Sequence, residues 1–239
     1  GVAIRYFEET EPLGTAGSFY YLKDMIHGDR FVMMSGDLFF DIDFQRMINF
    51  HEEKGAVATL FVHPNGHPFD SDLLVLDHDN KITAFDSKHN VRDYWYENCV
   101  NAGIFVFEKK ICDYVPEPMK RNLENDVIKG MLEAGEPIYG YCSPEYVKDV
   151  GTVDRVNQTL ADIERGVIAG KCLKNKQRCI FMDRDGTINQ YKGLVYKEED
   201  FTLEDCAVDA IRKINQSEDL ESLSRTSRWL RGDSAGSKT

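Results

Sequence analysis

The sequence predicts an α/β protein with a mostly parallel sheet, followed by the first part of a second α/β unit. Three observations carry that expectation. Over residues 1–170 short apolar runs alternate with stretches of helical period, the rhythm of β-α-β units. Several of those runs stop at small and acidic residues, as strands do where an open sheet binds its ligands. After a basic spacer at 166–178, a new apolar run begins at Cys179 and leads directly into Asp183-Arg184-Asp185-Gly186-Thr187.

Taken in order, Val2 to Phe7 has the pattern of a strand, Pro12 to Gly17 is a Gly-rich turn, and Ser18 to Ile26 has a helical pattern. Arg30 to Met34 is a strand that ends in Ser35-Gly36-Asp37. Asp43 to Lys54 follows a helical period that Gly55 stops, and Ala56 to His63 is a β-branched and aromatic run of strand length. Leu73 to Leu76 and Lys81 to Phe85 flank Asp77-His78-Asp79-Asn80, a hairpin turn. Val100 to Phe107 reads as a buried strand, Asn122 to Ala134 as a helix closed by Gly135, and Ile138 to Tyr141 as a short strand. Tyr146 to Thr152 leads into a helix over Val153 to Arg165. In the second unit Cys179 to Asp183 is a strand and Asp205 to Asn215 a helix, and beyond Ser217 neither period is present.

With 239 residues, 42% hydrophobic and 29% charged, the chain has an ordinary globular make-up and enough length for a sizeable core. No apolar run approaches the length that spans a bilayer. Gly1 to Ile4 runs into Arg5 and the acidic Glu8-Glu9-Thr10-Glu11, unlike a secretory signal. A net charge of −12 repels polyanions at long range, so neither nucleic acid nor a membrane is an expected partner. The six cysteines lack the close pairing of a zinc or redox motif and read as reduced thiols in a cytoplasmic protein.

Three segments carry the chemistry. The small residues of Glu9-Thr10-Glu11-Pro12-Leu13-Gly14-Thr15-Ala16-Gly17 let the backbone approach a flat ring or a phosphate. A carboxylate just upstream can accept the N1 and N2 protons of guanine together, a donor pair that adenine and the pyrimidines lack. A plain tight turn before a helix is the competing reading. Asp37 lies at the mouth of a strand and Asp149 before a Gly that opens a helix; each alone also reads as a solvated strand end. Together, two carboxylates from different strand ends can hold one Mg2+, which keeps waters and takes phosphate oxygens as its other ligands.

In this order Pro12-Leu13-Gly14-Thr15-Ala16-Gly17, Ser35-Gly36-Asp37, Asn101-Ala102-Gly103-Ile104-Phe105 and Asp149-Val150-Gly151-Thr152 resemble the sugar-phosphate nucleotidylyltransferases, above all their mannose-1-phosphate guanylyltransferase-like branch. The resemblance covers residues 1–170 and implies a Rossmann-like, nucleotide-diphospho-sugar transferase fold. It implies transfer of a nucleoside monophosphate from an NTP, here GTP, to a mannose- or heptose-type sugar 1-phosphate, with pyrophosphate released and Mg2+ as cofactor. Carried over by position, Asp37 and Asp149 bind the metal and Glu9 or Glu11 with Gly14 contacts the base. Lys88, Asn101, Gly103 and Glu124 face the sugar phosphate. Lys88 departs from the pattern, because Ser87-Lys88-His89 stands where the family has Glu-Lys-Pro. The family's Gly-Gly-x-Gly-Thr-Arg loop, which cradles the triphosphate, is absent from these residues. The domain is therefore expected to be truncated at its N-terminal side and inactive.

Asp183-Arg184-Asp185-Gly186-Thr187 resembles the first motif of haloacid dehalogenase-like phosphatases, particularly those acting on histidinol phosphate and heptose bisphosphate. That resemblance implies that Asp183 attacks phosphorus, that Asp185 protonates the leaving oxygen and later activates water, and that both share Mg2+. The later parts of that family's machinery are not recognisable. The expected domains are thus 1–170, 171–218 and a disordered or out-of-frame tail at 219–239. Codons exist for Ser222 to Gly232 whose alternate frame spells an apolar strand, so a frameshift near 217–221 is one reading of the tail and a natural disordered terminus the other. Nucleotidyl transfer leads, with a sugar-phosphate phosphatase or a non-catalytic sugar-nucleotide-binding module as alternatives.

Overall fold

Two strands with apolar side chains on both faces organise the first unit. The computed structural model describes residues 1–176, 179–193, 195, 197–216 and 221–223, in two compact units of 1–172 and 173–239. In chain order the first unit holds α1 (Phe19–Leu22), β1 (Arg30–Met34), β2 (Leu38–Asp41), α2 (Phe44–Glu53) and β3 (Ala58–His63). β4 (Leu73–Leu76), β5 (Ile82–Asp86) and β6 (Val100–Glu108) follow. A π-helical turn over Leu123–Ile128 then runs into α3 (Lys129–Glu133), and β7 (Ile138–Cys142), β8 (Tyr146–Asp149), α4 (Val153–Glu164) and α5 (Val167–Lys171) complete it.

The central sheet has the order β1-β6-β3-β7. β1 and β3 are both antiparallel to β6, and β7 is parallel to β3, so three of the four strands share one direction. Side chains alternate across a strand, which sends Ala58, Leu60, Val62, Phe105 and Phe107 to one core and Phe61, Ala102, Ile104 and Val106 to another. Both faces are covered, which is why β3 and β6 read as nearly continuous apolar runs. Two antiparallel ribbons, β2 with β8 and β4 with β5, flank the sheet.

α2 shows how local sequence and packing cooperate. The Asp43 side chain caps it by accepting the Gln45 N–H at 3.1 Å, and Gly55 closes it with φ +55°. Met47 and His51, one turn apart, face inward. His51 is fully buried, with Nδ1 2.8 Å from Thr59 Oγ1 and Nε2 3.1 Å from Glu108 Oε1. Arg30 completes the set, donating Nε to Glu108 at 2.8 Å and Nη1 to Glu52 at 2.6 Å.

Burial, helped by the Arg30 charge, depresses the His51 pKa below its ordinary value despite the Glu108 hydrogen bond. The neutral ring then donates from Nε2 to Glu108 and accepts at Nδ1 from Thr59, a tautomer assigned from the network. The unfolded chain binds that proton more readily, so acid favours unfolding. The stability is fully present above about pH 6.5 and is lost as pH falls through the lower folded pKa. Burial pulls the Glu108 carboxyl up, but Arg30 and His51 pull it down further, so Glu108 adds a loss of the same sign in stronger acid. The urea midpoint is expected to drop between about pH 7.5 and pH 5.5 and to drop less in His51→Gln. Equal drops in both proteins would place the acid sensitivity elsewhere.

The structure departs from the sequence expectations at several places. Val2 to Phe7 is not a strand: no ladder partner meets it, and Val2, Ile4 and Tyr6 are exposed. Side chains alone tether it, Phe7 stacking on Tyr21 at 5.3 Å and Arg5 Nη1 donating to His27 Nε2 at 3.4 Å. The expected helix from Ser18 to Ile26 is regular only over Phe19–Leu22 and then tightens into a turn, with Met25 N–H donating three residues back to Leu22. The spacer after residue 166 begins with α5, which buries Ile168. No periodicity in the sequence predicts β2 or the ribbon it forms with β8.

The second unit contains β9 (Cys179–Phe181), α6 (Ala207–Gln216) and β10 (Glu221–Leu223), with β10 parallel to β9. Glu221–Leu223 is therefore a strand within the stretch expected to be a disordered or out-of-frame tail. Backbone hydrogen bonds to an open parallel neighbour form a strand without help from side-chain periodicity. The rest of that stretch, including 224–239, lies outside the described residues. Cys99, Cys112, Cys142, Cys172 and Cys206 are free thiols, and among the described residues no helix is long and apolar enough to cross a membrane.

Candidate functional site

The β2–β8 ribbon joins the two carboxylates that the sequence presents 112 residues apart. Leu38 is the register partner of Asp149, and Val150 N–H donates to Asp37 O at 2.8 Å. A Cβ built on Gly151 would stand 3.3 Å from Asp149 Oδ1 and 3.8 Å from Asp37 Oδ2. Both carboxylates therefore border the space that Gly151 leaves open. Asp149 Oδ1 accepts the Gly151 N–H at 3.1 Å and Oδ2 pairs with Arg155 Nη1. Partial burial raises the Asp149 pKa, but the Gly151 N–H and the Arg155 guanidinium outweigh it and hold the carboxyl below its ordinary value.

This donor set fits Mg2+. Two hard oxygen ligands bordering an uncrowded space suit a cation that retains waters and takes phosphate oxygens. Among the described residues no group of three or more His, Cys, Asp and Glu makes a closed metal cage.

Asp149 also lines a cleft of about 790 Å³, together with Lys88, Asn101 and Glu124. A bulge aims Asn101. From Leu60 to Val62 β3 advances two residues while β6 advances four, from Phe105 to Asn101, and Gly103 takes φ +78° in the gap. Gly103 sits close behind the first carboxylate's loop: Ser35 N–H donates to its carbonyl at 3.0 Å, and a Cβ there would meet Ser35 Oγ at 2.9 Å. Asn101 Oδ1 accepts Gly103 N–H at 3.0 Å, and its Nδ2 donates to Glu124 Oε1 at 3.1 Å. Glu124 belongs to the π-helical turn, a conformation often found at functional sites. Lys88 is exposed, with its N–H donated to Asp72 Oδ1 at 2.7 Å.

The loop carrying Asn65, His67, Ser71 and Asp72 lines the cleft too. Arg92 holds it. That guanidinium donates to Pro68 O, Ser71 O, Asp86 O and Asp86 Oδ2 at 2.7 to 2.8 Å.

The Gly-rich turn lies along the neighbouring segment. Gly14 bridges Arg121 with φ +74°, and a Cβ there would come within 2.4 Å of Arg121 O, so only glycine fits. Thr15 Oγ1 accepts Leu123 N–H at 2.8 Å, one residue before Glu124. Glu9 is turned onto its own loop, accepting Leu13 N–H at 3.1 Å through Oε2, and Glu11 is exposed. Neither Glu9, Glu11 nor Gly14 lines the cleft.

In the second unit Asp183 and Asp185 follow the C-terminal end of β9. Asp183 is exposed and accepts Arg184 N–H at 2.8 Å. Arg184 grips Asp185 with Nε at 2.9 Å and Nη2 at 3.0 Å, and Asn189 Nδ2 adds a third donor at 3.1 Å. The guanidinium, aided by Asn189, holds the Asp185 carboxyl below its ordinary range against a smaller opposing effect of burial.

Sequence reasoning missed Asn65, His67, Asp72, Lys148, Arg155 and Arg92. Lys148 and Arg155 carried a usable signal, since they flank Asp149-Val150-Gly151-Thr152 on either side. The loop residues carried none, because partners distant in sequence hold that loop at the cleft: Arg92 on Pro68 O and Ser71 O, Asn98 on Asn65, and the Lys88 N–H on Asp72.

A nucleotidyl transferase family profile matches residues 1–166. The mannose-1-phosphate guanylyltransferase of Mycobacterium tuberculosis is 28% identical over 73% of this chain and 48% of its own length. The UTP–glucose-1-phosphate uridylyltransferase of Synechocystis is 29% identical over 69% of this chain and 42% of its own. The D-glycero-alpha-D-manno-heptose 1-phosphate guanylyltransferase of Aneurinibacillus thermoaerophilus is 27% identical over 69% of both. The chain thus spans less than half the length of the first two relatives. A crystal structure of HddC from Yersinia pseudotuberculosis shares the fold, with TM-score 0.53 and 18% identity over 65% of this chain and 64% of that one. With a match across 166 of its residues, the chain belongs to the nucleotidyl transferase family.

Proposed function

We propose that the cleft of the first unit serves nucleotidyl transfer from GTP to a mannose- or heptose-type sugar 1-phosphate. The observation that carries this reading is the β2–β8 ribbon, which sets Asp37 and Asp149 side by side at the edge of a cleft containing Lys88, Asn101 and Glu124. The names of two relatives, guanylyltransferases for mannose and heptose 1-phosphates, support the substrate class.

In the reaction a phosphate oxygen of the sugar 1-phosphate attacks the α-phosphorus of GTP, and the bond to pyrophosphate breaks. Asp37 and Asp149 would hold Mg2+, which when bound neutralises phosphate charge. Lys88, Asn101, Gly103 and Glu124 position the sugar phosphate, and of the two upstream carboxylates the exposed Glu11, with Gly14, takes the base, since Glu9 Oε2 is held by the Leu13 N–H. Asn101 is well placed for this, since the bulge at Gly103 and the Glu124 carboxylate fix both ends of its amide.

We further propose that these 239 residues alone bind substrates without turning over, because the triphosphate loop of the resembling family is not among them. The test measures GTP and mannose 1-phosphate binding by calorimetry alongside pyrophosphate release, all with Mg2+. Binding with release at background is the expected result. Release well above background overturns the inactivity, and absence of all binding overturns the site.

One observation favours a second activity. β9 and β10 are parallel neighbours with α6 between them in sequence, and Asp183 and Asp185 stand just beyond the C-terminal end of β9, where parallel sheets place ligands. Phosphate release from a sugar phosphate, lost in Asp183→Asn, is the result this reading requires.

A further inference from the structure

Arg155 already neutralises the Asp149 carboxylate that a metal shared with Asp37 would use. Its Nη1 pairs with Asp149 Oδ2, while Oδ1 of the same carboxylate accepts the Gly151 N–H. It lies on the first turn of α4, three residues after the Thr152 cap, and lines the cleft beside Lys148. The two side chains are 44% and 42% exposed, so the pair contributes little to folding and Arg155 can leave it at small cost. A guanidinium fork suits phosphate as well as carboxylate, and a nucleoside triphosphate offers it the greater charge.

We propose that Arg155 is a displaceable counter-cation for Asp149: a divalent metal takes its place on the carboxylate, and the freed guanidinium then engages a phosphate of the metal-bound nucleotide. This rests on the reading of Asp37 and Asp149 as metal ligands. Competition for Asp149 weakens metal binding in the absence of nucleotide, and the released cation strengthens nucleotide binding in the presence of metal. Metal and nucleotide are thereby coupled through one side chain.

The test is a Mn2+ titration of the full chain followed by electron paramagnetic resonance, with and without GTP, in wild type, Arg155→Ala, Arg155→Lys and Asp149→Asn. Arg155→Ala is expected to bind Mn2+ alone about 5-fold tighter, the size of one contact charge removed near water. At saturating Mn2+ it is expected to bind GTP about 10-fold more weakly, with Arg155→Lys intermediate. Structural damage cannot produce the first change, because a distorted site does not gain metal affinity. Unchanged or weaker Mn2+ binding in Arg155→Ala, or unchanged GTP binding, overturns the role of Arg155. If Asp149→Asn still abolishes Mn2+ binding in that case, the carboxylate pair stands. If wild type and Arg155→Ala both fail to bind Mn2+, the carboxylate-pair reading falls together with the proposal.

Discussion

Replacing Arg92 with alanine is expected to destabilise the first unit by about 3 kcal/mol and to loosen one wall of the cleft. The Arg92 and Asp86 side chains are only 5% and 9% exposed. Removing the guanidinium leaves Asp86 with Asn90 and Tyr94 as its side-chain donors and strips a donor from the carbonyls of Pro68, Ser71 and Asp86. Burial pushes the Asp86 carboxyl up, while Asn90, Tyr94 and Arg92 together bring it below its ordinary value, so the variant should also raise its pKa. Lysine keeps the charge but cannot reach four acceptors from one planar fork, so Arg92→Lys should recover only part of the loss. Trp95, three residues away, gives a fluorescence reporter for urea unfolding, and limited proteolysis at 64–72 reads the local opening. A loss below about 1 kcal/mol would show that the carbonyls find water or other partners without cost.

Much of the frame is legible in the residues because local rules decide it. β1 falls where its apolar run predicts, α2 has its Asp43 cap and Gly55 stop in sequence, and the β4–β5 hairpin turns at Asn80 with φ +65°. What stays hidden depends on partners distant in the chain. β2 and β8 are four residues each, and neither shows a pattern on its own; the ladder exists because Leu38 meets Asp149. The bulge at Gly103 changes the direction of Asn101 without altering the apolar run around it. Glu9 has the chemistry of a base ligand, yet its carboxylate is spent on the turn beside it. Candidate residue types could be named from sequence, but their grouping into a cleft required the pairing of strands and the Arg92 clasp.

Asp37→Asn and Asp149→Asn are each expected to weaken Mn2+ binding on the order of 100-fold, because each removes a proposed direct ligand, and even supporting residues at metal sites commonly cost 10- to 100-fold. Little stability should be lost. Asp37 is exposed, and the ribbon is held by backbone bonds such as Val150 N–H to Asp37 O, which asparagine leaves intact. If the two carboxylates share one ion, the double variant will be scarcely weaker than either single one, the non-additivity of groups that act as a unit. Gly151→Ala separates space from charge. It keeps both carboxylates but places a methyl 3.3 Å from one and 3.8 Å from the other, so it should weaken Mn2+ binding by roughly 10-fold with no change in charge. Asp37→Asn binding Mn2+ as wild type does, while Asp149→Asn does not, would mean that the ion rests on one strand end only. The ribbon would then bring the two segments together for folding and not for a shared metal.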